Sequence, residues 1–257
     1  MIELNQSNVE RALEGHPWIK HILTYDCVGS TMNTARELAA VGSPEATIVV
    51  AARQTQGRGR LKRHWLSPEG SLSISILLYP PDEKLKLMTM MAGLALAHAV
   101  TATVSLKADI KWPNDLLIRG KKVAGILVES GFVVDKRFAV IGFGINVNLD
   151  TANFDEIANV ATSLSREACS EIDPTCLLRE IVTAMEGLYT EFDSPSIYSA
   201  WRERLITLGC RVRADTGVGI VDGIAEDVAR DGTLIIRSDD SRRHNIIAGD
   251  VMLRHVN

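Results

Sequence analysis

The residues in this sequence best suited to chemistry form one basic stretch, Gln54-Thr55-Gln56-Gly57-Arg58-Gly59-Arg60-Leu61-Lys62-Arg63-His64-Trp65. Four cationic side chains and two glycines fall within the nine residues from Gly57 to Trp65. Glycine lets a backbone approach a ligand closely, and arginine donates paired hydrogen bonds to phosphate or carboxylate oxygens. The stretch is therefore either an anion-binding loop that orders around its ligand or a solvated basic loop, since charge runs are usually soluble surface.

Two further groups of residues present cations and glycines in the same half of the chain. Lys111 and Lys122 flank a predicted hairpin turn at Arg119-Gly120-Lys121, so their ammonium groups can approach one cleft from adjacent strands. A cation just past a turn is, however, commonly an exposed residue. A later predicted strand is interrupted by Gly142 and Gly144, and glycine inside a strand often marks the close approach of a ligand.

A pair of hydroxyl residues, Ser30 and Thr31, begins a predicted helix that ends near Gly42. Either residue can cap the helix. Their alternative role is to hold a polar ligand, because the free N–H groups at a helix N-terminus also bind anions.

These residue types favour a reaction that depends on positioning and charge. The sequence offers no obvious catalytic base, nucleophile or paired carboxylate, and it lacks a Walker A motif. A site of this composition suits attack on a phosphoryl centre, where fixed cations offset developing charge. Three cations can neutralise an anion, one indole can stack on a base and two amides can bind polar edges: Arg58, Arg60, Lys122, Trp65, Asn114 and Asn146.

Composition narrows the class of protein. A chain of 257 residues can form one large or two modest domains, and its apolar content of 46% is ordinary for a globular protein. A net charge of −4 argues against a general nucleic-acid binder, which is usually basic. The longest apolar run, Leu87 to Ala97, is shorter than the ~18–20 residues of a membrane span.

From the N-terminal residues and the cysteines we expect a cytoplasmic location. The first residues lack the basic-then-apolar pattern of a signal peptide. The cysteines have neither C-x-x-C spacing nor a histidine at ligand spacing, so we expect buried thiols in a reducing compartment and no metal ligands. The residues in question are Cys27, Cys169, Cys176 and Cys210.

Several helices and strands must hold the candidate residues in place. Hydrophobic periodicity predicts a strand at Thr47–Ala52 before the basic stretch and one at Ser71–Leu78, with a single buried face, after it. It also predicts a buried helix from about Lys84 to Ala99, and helices that start at Asp173-Pro174 and Ser194-Pro195.

After Leu208 the sequence changes to short strands and tight turns, with Asp231-Gly232 as a hairpin turn and a last strand from Val251 to His255. We predict two domains, a mixed α/β domain over residues 1–208 and a small all-β barrel over residues 209–257.

Five motifs stand in a specific order along the chain. They are Ser30-Thr31, Gln54-x-x-Gly57-Arg58-Gly59-Arg60-x-x-Arg63-x-Trp65, Lys111-Trp112-Pro113-Asn114-Asp115, Lys122-x-Ala124-Gly125-Ile126-Leu127-x-Glu129 and Gly142-x-Gly144-x-Asn146-x-Asn148. In this order they closely resemble the biotin protein ligases, and the likeness covers most of the chain. It implies an α+β fold, with helices on a mixed sheet of the class II synthetase type and an SH3-like C-terminal barrel.

The resemblance implies a reaction in two steps with biotin and Mg-ATP. The biotin carboxylate attacks the α-phosphate to give biotinyl-5′-AMP and pyrophosphate, and a lysine amine of a biotin carboxyl carrier domain of acetyl-CoA carboxylase then attacks that anhydride. The implied biotin site comprises Ser30, Thr31, Met32, Gln54, Arg58, Gly59, Arg60 and Lys122. The implied ATP site comprises Arg60, Trp65, Lys111, Asn114 and Asn146. Lys122, Arg58 and Arg60 are the expected catalytic residues.

The chain departs from the family pattern at three places. Met32 follows Ser-Thr where many members have asparagine, so only a backbone contact with the ligand survives there. Leu61-Lys62 stands where some relatives carry Arg-Gly. The DNA-binding domain of repressor-type members is missing, so we expect a ligase without a nucleic-acid partner or a membrane association; the oligomeric state, including a homodimer, stays open.

Two alternatives remain for the function. A lipoate or octanoate ligase or transferase shares the core fold, but the KWPND and GRGR motifs argue against it. A nucleic-acid-binding module is disfavoured by the acidic total charge and by the lack of interleaved aromatic residues in the basic loop.

Overall fold

The computed structural model describes residues 3–191 and 195–254. Over these residues the chain forms two sheets, of seven and five strands. The larger sheet has the order β1-β2-β3-β7-β6-β5-β4, and its β1–β2 pair is parallel whereas the other pairs are antiparallel. Its strands are β1 (His21–Val28), β2 (Thr47–Gln54), β3 (Ser71–Leu78), β4 (Asp109–Lys111), β5 (Asp115–Ile118), β6 (Lys121–Val133) and β7 (Lys136–Asn146). The predicted α+β class is confirmed.

Helices cover both faces of this sheet. The helices are α1 (Gln6–Ala12), α2 (Thr31–Ala40), α3 (Met88–Val104), α4 (Leu164–Ala168), α5 (Pro174–Thr190) and α6 (Pro195–Glu203). Helix α2 lies on one face, where Ala35 and Ala39 pack with Val49 and Leu77. Helix α3 lies on the other face and is itself covered by α5.

The central strand β3 differs from the prediction in one respect. We expected one buried face, but all eight of its residues are buried. Ile74 and Ile76 face the helical core around α3, whereas Ser73 and Ser75 face α2 and bond to other polar side chains. The alternation of serine and apolar residues therefore separates a polar pocket from the core instead of separating solvent from the core.

The long apolar helix is a core element, as predicted. By length and composition alone, Asp82–Val104 is apolar enough to cross a membrane. It begins with 3-10 turns at Asp82–Leu87, and eleven of the seventeen residues of α3 are buried, which places this helix inside the fold.

The C-terminal sheet is antiparallel and has the order β11-β10-β9-β8-β12. Its strands are β8 (Arg211–Asp215), β9 (Ile220–Val228), β10 (Leu234–Arg237), β11 (Arg243–Ile246) and β12 (Asp250–Arg254). Asp231-Gly232 joins β9 to β10, which confirms the predicted turn. The helix-start residue Ser194 and the strand-end residue His255 lie outside the described residues.

The expectation of buried cysteines was wrong. Cys27, Cys169 and Cys176 are exposed, Cys210 is half-buried, and all four are unpaired. The reason is their placement, because Cys27 lies on the edge strand β1 and Cys169 ends α4 in a left-handed conformation.

Candidate active site

A single pocket between α2, the sheet and the basic loop brings together most of the residues singled out from the sequence. Its lining includes Ser30, Thr31, Met32, Gln54, Arg58, Gly59, Arg60, Trp65, Asn114 and Lys122. These residues come from four separate motifs, so the fold assembles them into one site. Lys111 and Asn146 are not among the lining residues.

One end of the pocket is a network of neutral hydrogen-bonding groups. The side-chain oxygen of Gln54 accepts from the backbone N–H of Thr31 at 2.9 Å and from its hydroxyl at 3.2 Å. The Gln54 amide donates to Ser73 at 3.0 Å, and Ser75 donates to the Thr31 hydroxyl at 2.8 Å. The hydroxyl of Ser30 is buried and has no partner within the described part of the chain. This network, with its unpartnered buried hydroxyl, fits a polar ligand that carries both hydrogen-bond donors and acceptors.

The other end of the pocket is cationic, and two of its cations already have acidic partners. Arg58 donates to both carboxylate oxygens of Glu129, at 2.8 and 2.9 Å. The ammonium nitrogen of Lys122 lies 2.6 Å from a carboxylate oxygen of Asp115. Both pairs involve charges that an incoming anion can share or displace.

Arg60 differs from its neighbours because its hydrogen-bond partner is a neutral amide. The guanidinium donates to the side-chain oxygen of Asn114 at 3.1 Å. Burial lowers the pKa of Arg60 from its ordinary value, and the carboxylates of Asp115 and Asp250 oppose that shift. An arginine nevertheless stays protonated at neutral pH, so the pocket holds a partly desolvated positive charge that an anion would stabilise.

The basic loop forms a short, closed hairpin in this structure. Gly59 and Arg63 join through a backbone hydrogen bond of 2.8 Å, and Arg58 bridges to His64. Leu61 and Lys62 have φ angles of 53° and 60°, in the left-handed region that glycine occupies most easily. The residue pair that departs from the family pattern therefore adopts strained backbone angles.

The two glycines of β7, Gly142 and Gly144, make room for side chains of this chain. A Cβ atom on Gly144 would lie 2.4 Å from the indole of Trp65, and one on Gly142 would lie 2.5 Å from the sulfur of Met32. The ammonium nitrogen of Lys122 lies 5.3 Å from the centre of the Trp65 ring, within the distance of a cation–π contact. Trp65 thus forms one wall of the pocket and is held against β7.

Replacing Gly144 with alanine is expected to displace Trp65 from this wall, because the added methyl overlaps the rigid indole. Tryptophan fluorescence should shift to longer wavelength as the ring becomes hydrated. Gly187 is the matched control, because a Cβ there meets no atom within 4 Å. Gly187→Ala should raise stability by up to about 1 kcal/mol, since alanine favours helix. An unchanged spectrum for Gly144→Ala would contradict the close packing.

The C-terminal sheet also reaches the pocket. Gly249 and Asp250 belong to its lining, and Arg63 of the basic loop forms an ion pair with Asp250. The hydrogen bond from Arg63 lowers the pKa of Asp250. Another contact joins the C-terminal sheet region to the rest of the chain, because the indole N–H of Trp112 donates to the carbonyl of Gly232 at 2.8 Å.

Two residues expected at the nucleotide side lie outside the set of residues that line the pocket. Asn146 is buried and its amide donates to the carbonyl of Thr162 at 3.0 Å. Lys111 pairs in register with Asp115 at the turn between β4 and β5.

Other residues at the site received no role from the sequence: Ser73, Ser75, Asp115, Glu129 and Asp250. Glu129 ends one of the sequence motifs, but the motif assigned it no role, whereas Asp250 is brought to the pocket by the packing of the C-terminal sheet against the basic loop.

Comparison with known proteins places this geometry in a family. The sequence pattern of the Biotin/lipoate A/B protein ligase family matches residues 25–146, and that of the Biotin protein ligase C terminal domain matches residues 207–254. The chain is 35% identical to the bifunctional ligase/repressor BirA of Bacillus spizizenii, over 98% of this chain and 79% of the relative. It is 31% identical to the biotin–[acetyl-CoA-carboxylase] ligase of Mycobacterium tuberculosis, over 88% of each chain.

A solved structure has the same architecture. The biotin protein ligase from Aquifex aeolicus, in complex with biotin and ATP, superposes with a TM-score of 0.78 and 29% identity, over 93% of this chain and all of that one. The shared fold, the two matched domains and the relatives over nearly the full length agree with the motif order in the sequence. The chain therefore belongs to the biotin protein ligase family.

Proposed function

We propose that this protein is an ATP-dependent biotin–[biotin carboxyl-carrier protein] ligase. One observation carries the proposal: a single pocket joins a neutral hydrogen-bonding end, built on Thr31 and Gln54, to a cationic end with Arg58, Arg60 and Lys122. Biotin has a neutral ureido ring at one end and a carboxylate at the other, so its two ends match the two ends of the pocket. Relatives named as biotin ligases and the Aquifex complex with biotin and ATP support the same assignment.

In the first step, a carboxylate oxygen of biotin attacks the α-phosphorus of ATP. A phosphorus–oxygen bond forms, the bond to the bridging oxygen breaks, and pyrophosphate leaves. Lys122 and Arg60 are proposed to offset the charge on the carboxylate and on the phosphate oxygens, which would otherwise repel each other. Arg58 and Gly59 complete the loop over the reacting atoms.

In the second step, the neutral ε-amine of an acceptor lysine attacks the acyl carbon of biotinyl-5′-AMP. An amide bond forms, the bond from the acyl carbon to the phosphate oxygen breaks, AMP leaves, and the attacking nitrogen loses one proton to solvent. Closure of the basic loop would exclude water from the anhydride until the acceptor arrives.

The nucleotide side of the site is proposed from position and residue type. Trp65 offers an indole face for stacking and Asn114 an amide for polar edges, and Asn114 also lines the adjoining cavity toward Gly232 of the C-terminal sheet. Lys111 and Asn146 stay proposals for ATP binding. The charge of Lys111 helps to lower the pKa of Asp250, which lines the pocket, and Asn146 lies two residues after the pocket-lining Gly144 on β7.

Magnesium is proposed to enter with the nucleotide. Among the described residues no group of three or more His, Cys, Asp or Glu side chains could hold a metal ion. Mg²⁺ commonly takes only one or two protein carboxylates and its other ligands from phosphates and water. The carboxylate of Asp115, which lines the pocket 2.6 Å from the ammonium nitrogen of Lys122, fits that arrangement.

The acceptor is proposed to be a biotin carboxyl carrier domain of acetyl-CoA carboxylase, as the names of the relatives suggest. We further propose a cytoplasmic location and no nucleic-acid partner. Three exposed, unpaired cysteines fit a reducing compartment. A net charge of −4 does not favour binding to a polyanion.

Mass spectrometry under non-denaturing conditions tests the proposed function. Purified protein incubated with biotin and Mg-ATP should carry a bound species with the mass of biotinyl-5′-AMP, and pyrophosphate should accumulate in the solution. Lipoate or octanoate in place of biotin is the control, and it should give neither signal. Equal turnover with lipoate would contradict the biotin assignment and favour the related ligases.

A further inference from the structure

Glu129 is the last residue of the motif that begins at Lys122, and it has no assigned role in the proposed reaction. Successive residues of a strand point to opposite faces of a sheet. Leu127 of β6 packs beside α2 whereas Ile126 packs in the core around α3, so Glu129 is the next residue on the face of Leu127. It marks the point where the pocket meets helix α2.

The Glu129 carboxylate is shared by two arginines from different elements. Arg58 of the basic loop binds it with both terminal nitrogens, at 2.8 and 2.9 Å. Arg36 of α2 approaches the same carboxylate at 3.4 Å and also donates to Asn33 at 3.1 Å. The side chains of Arg58 and Glu129 are 32% and 26% exposed, so the pair is partly screened from water. Glu129 therefore ties the loop to the helix that carries Thr31.

We infer that Glu129 is a positioning residue, which fixes the guanidinium of Arg58 in the pocket before the substrates arrive. The inference rests on the proposed function, because the anion that Arg58 would meet is the biotin carboxylate or the adenylate phosphate. Nothing in this role requires Glu129 to touch the substrate.

The geometry of the pair supports this role. A two-point contact between a guanidinium and a carboxylate fixes orientation as well as distance. A free arginine side chain would lose much of its rotational freedom on meeting the ligand, whereas a held one has lost it already. The Nε atom of Arg58 is buried and has no partner among the described residues, so the held guanidinium keeps one donor available.

For the variant Glu129→Gln, an orienting role and simple electrostatics predict opposite changes in the KM for biotin. Glu129→Gln removes a negative charge beside a pocket for anions, and on electrostatic grounds that should lower the KM for biotin. If Glu129 orients Arg58, the same variant should raise the KM for biotin by about tenfold, with kcat changed by less than about twofold. The direction of the KM change therefore separates orientation from electrostatics.

Steady-state pyrophosphate release by the full chain measures both constants when saturating acceptor domain is present to consume the adenylate and allow repeated turnover. We expect Arg58→Gln to raise the KM at least as much as Glu129→Gln, and the double variant to match Arg58→Gln, because Glu129 acts through Arg58. Glu129→Asp keeps the charge and should recover part of the loss. Asp82→Asn is the matched control, since it breaks the exposed pair with Arg137 and should leave both constants unchanged.

Several results would overturn the inference. They are an unchanged or lower KM in Glu129→Gln, effects that multiply in the double variant, or a loss of thermal stability in both Glu129 variants with normal constants for the folded fraction. Failure of the proposed function itself would look different, because the wild-type protein would then release no pyrophosphate with biotin.

Discussion

Replacing Lys122 with alanine is expected to slow biotin-dependent pyrophosphate release by about 100- to 1,000-fold, the usual effect of removing one charge donor from a transition state. The Lys122 ammonium lies at the centre of the cationic end, 2.6 Å from Asp115 and 5.3 Å from the ring centre of Trp65. Its loss leaves the carboxylate and the phosphate to repel each other as they approach.

The assay for Lys122→Ala needs a control for folding and a matched lysine. The melting temperature should stay within about 4 °C of wild type, because the side chain is 34% exposed. Lys121→Ala removes an exposed cation from the adjacent position of β6 and should keep full activity. A Lys122→Ala protein that is unstable but active per folded molecule would identify a structural lysine.

Replacing Arg60 with alanine is expected to release the reactive intermediate. Arg60 carries a partly buried charge whose hydrogen-bond partner is the neutral Asn114, so a phosphate would become its strongest partner. A lost hydrogen bond to a charged group corresponds to about 10- to 100-fold faster dissociation of biotinyl-5′-AMP.

Rapid gel filtration of the preformed complex, followed by timed assay of the protein fraction, measures that release. Lys62→Ala is the matched control, since Lys62 is an exposed cation of the same loop, and it should hold the adenylate as wild type does. Wild-type retention by Arg60→Ala would mean that the basic loop is solvated surface, the alternative that its composition alone left open.

Much of the fold could be predicted because its signals are local. The strand Ser71–Leu78, the hairpin turn at Arg119-Gly120 and the start of α5 at Asp173-Pro174 each follow from hydrophobic periodicity or turn chemistry within a few residues. The short strands and tight turns after Leu208 likewise predicted the C-terminal barrel, whereas the order of the strands in the larger sheet was not predicted and comes from the structure alone.

The errors have a common physical cause, which is that burial depends on distant elements. Ser73 and Ser75 look like solvent-facing residues in a strand, but α2 covers them and Gln54 and Thr31 bond to them. Cys27 looks like a buried thiol until β1 proves to be an edge strand. In both cases the usual burial of the residue type predicted the wrong environment, because another part of the fold determines whether that position is covered.

The residues of the candidate site also fall into two groups, those predicted from local motifs and those whose roles depend on distant partners. Residues within motifs, such as Arg60 and Lys122, converge on the pocket as expected. Glu129 and Asp250 acquire their importance from partners 71 and 187 positions away in the sequence. No pattern within a single segment could reveal those pairs, because each one forms only when separate elements fold together.

The ion pair between Arg63 and Asp250 has a thermodynamic consequence. It joins the loop that would close on the adenylate to a strand of the C-terminal sheet. If the adenylate strengthens that contact, the contact must strengthen adenylate binding by the same factor, because coupling free energies are reciprocal. The C-terminal sheet and the adenylate would then act as effectors of one another. This coupling would pass through Arg63, because the carboxylate of Asp250 repels an anionic ligand.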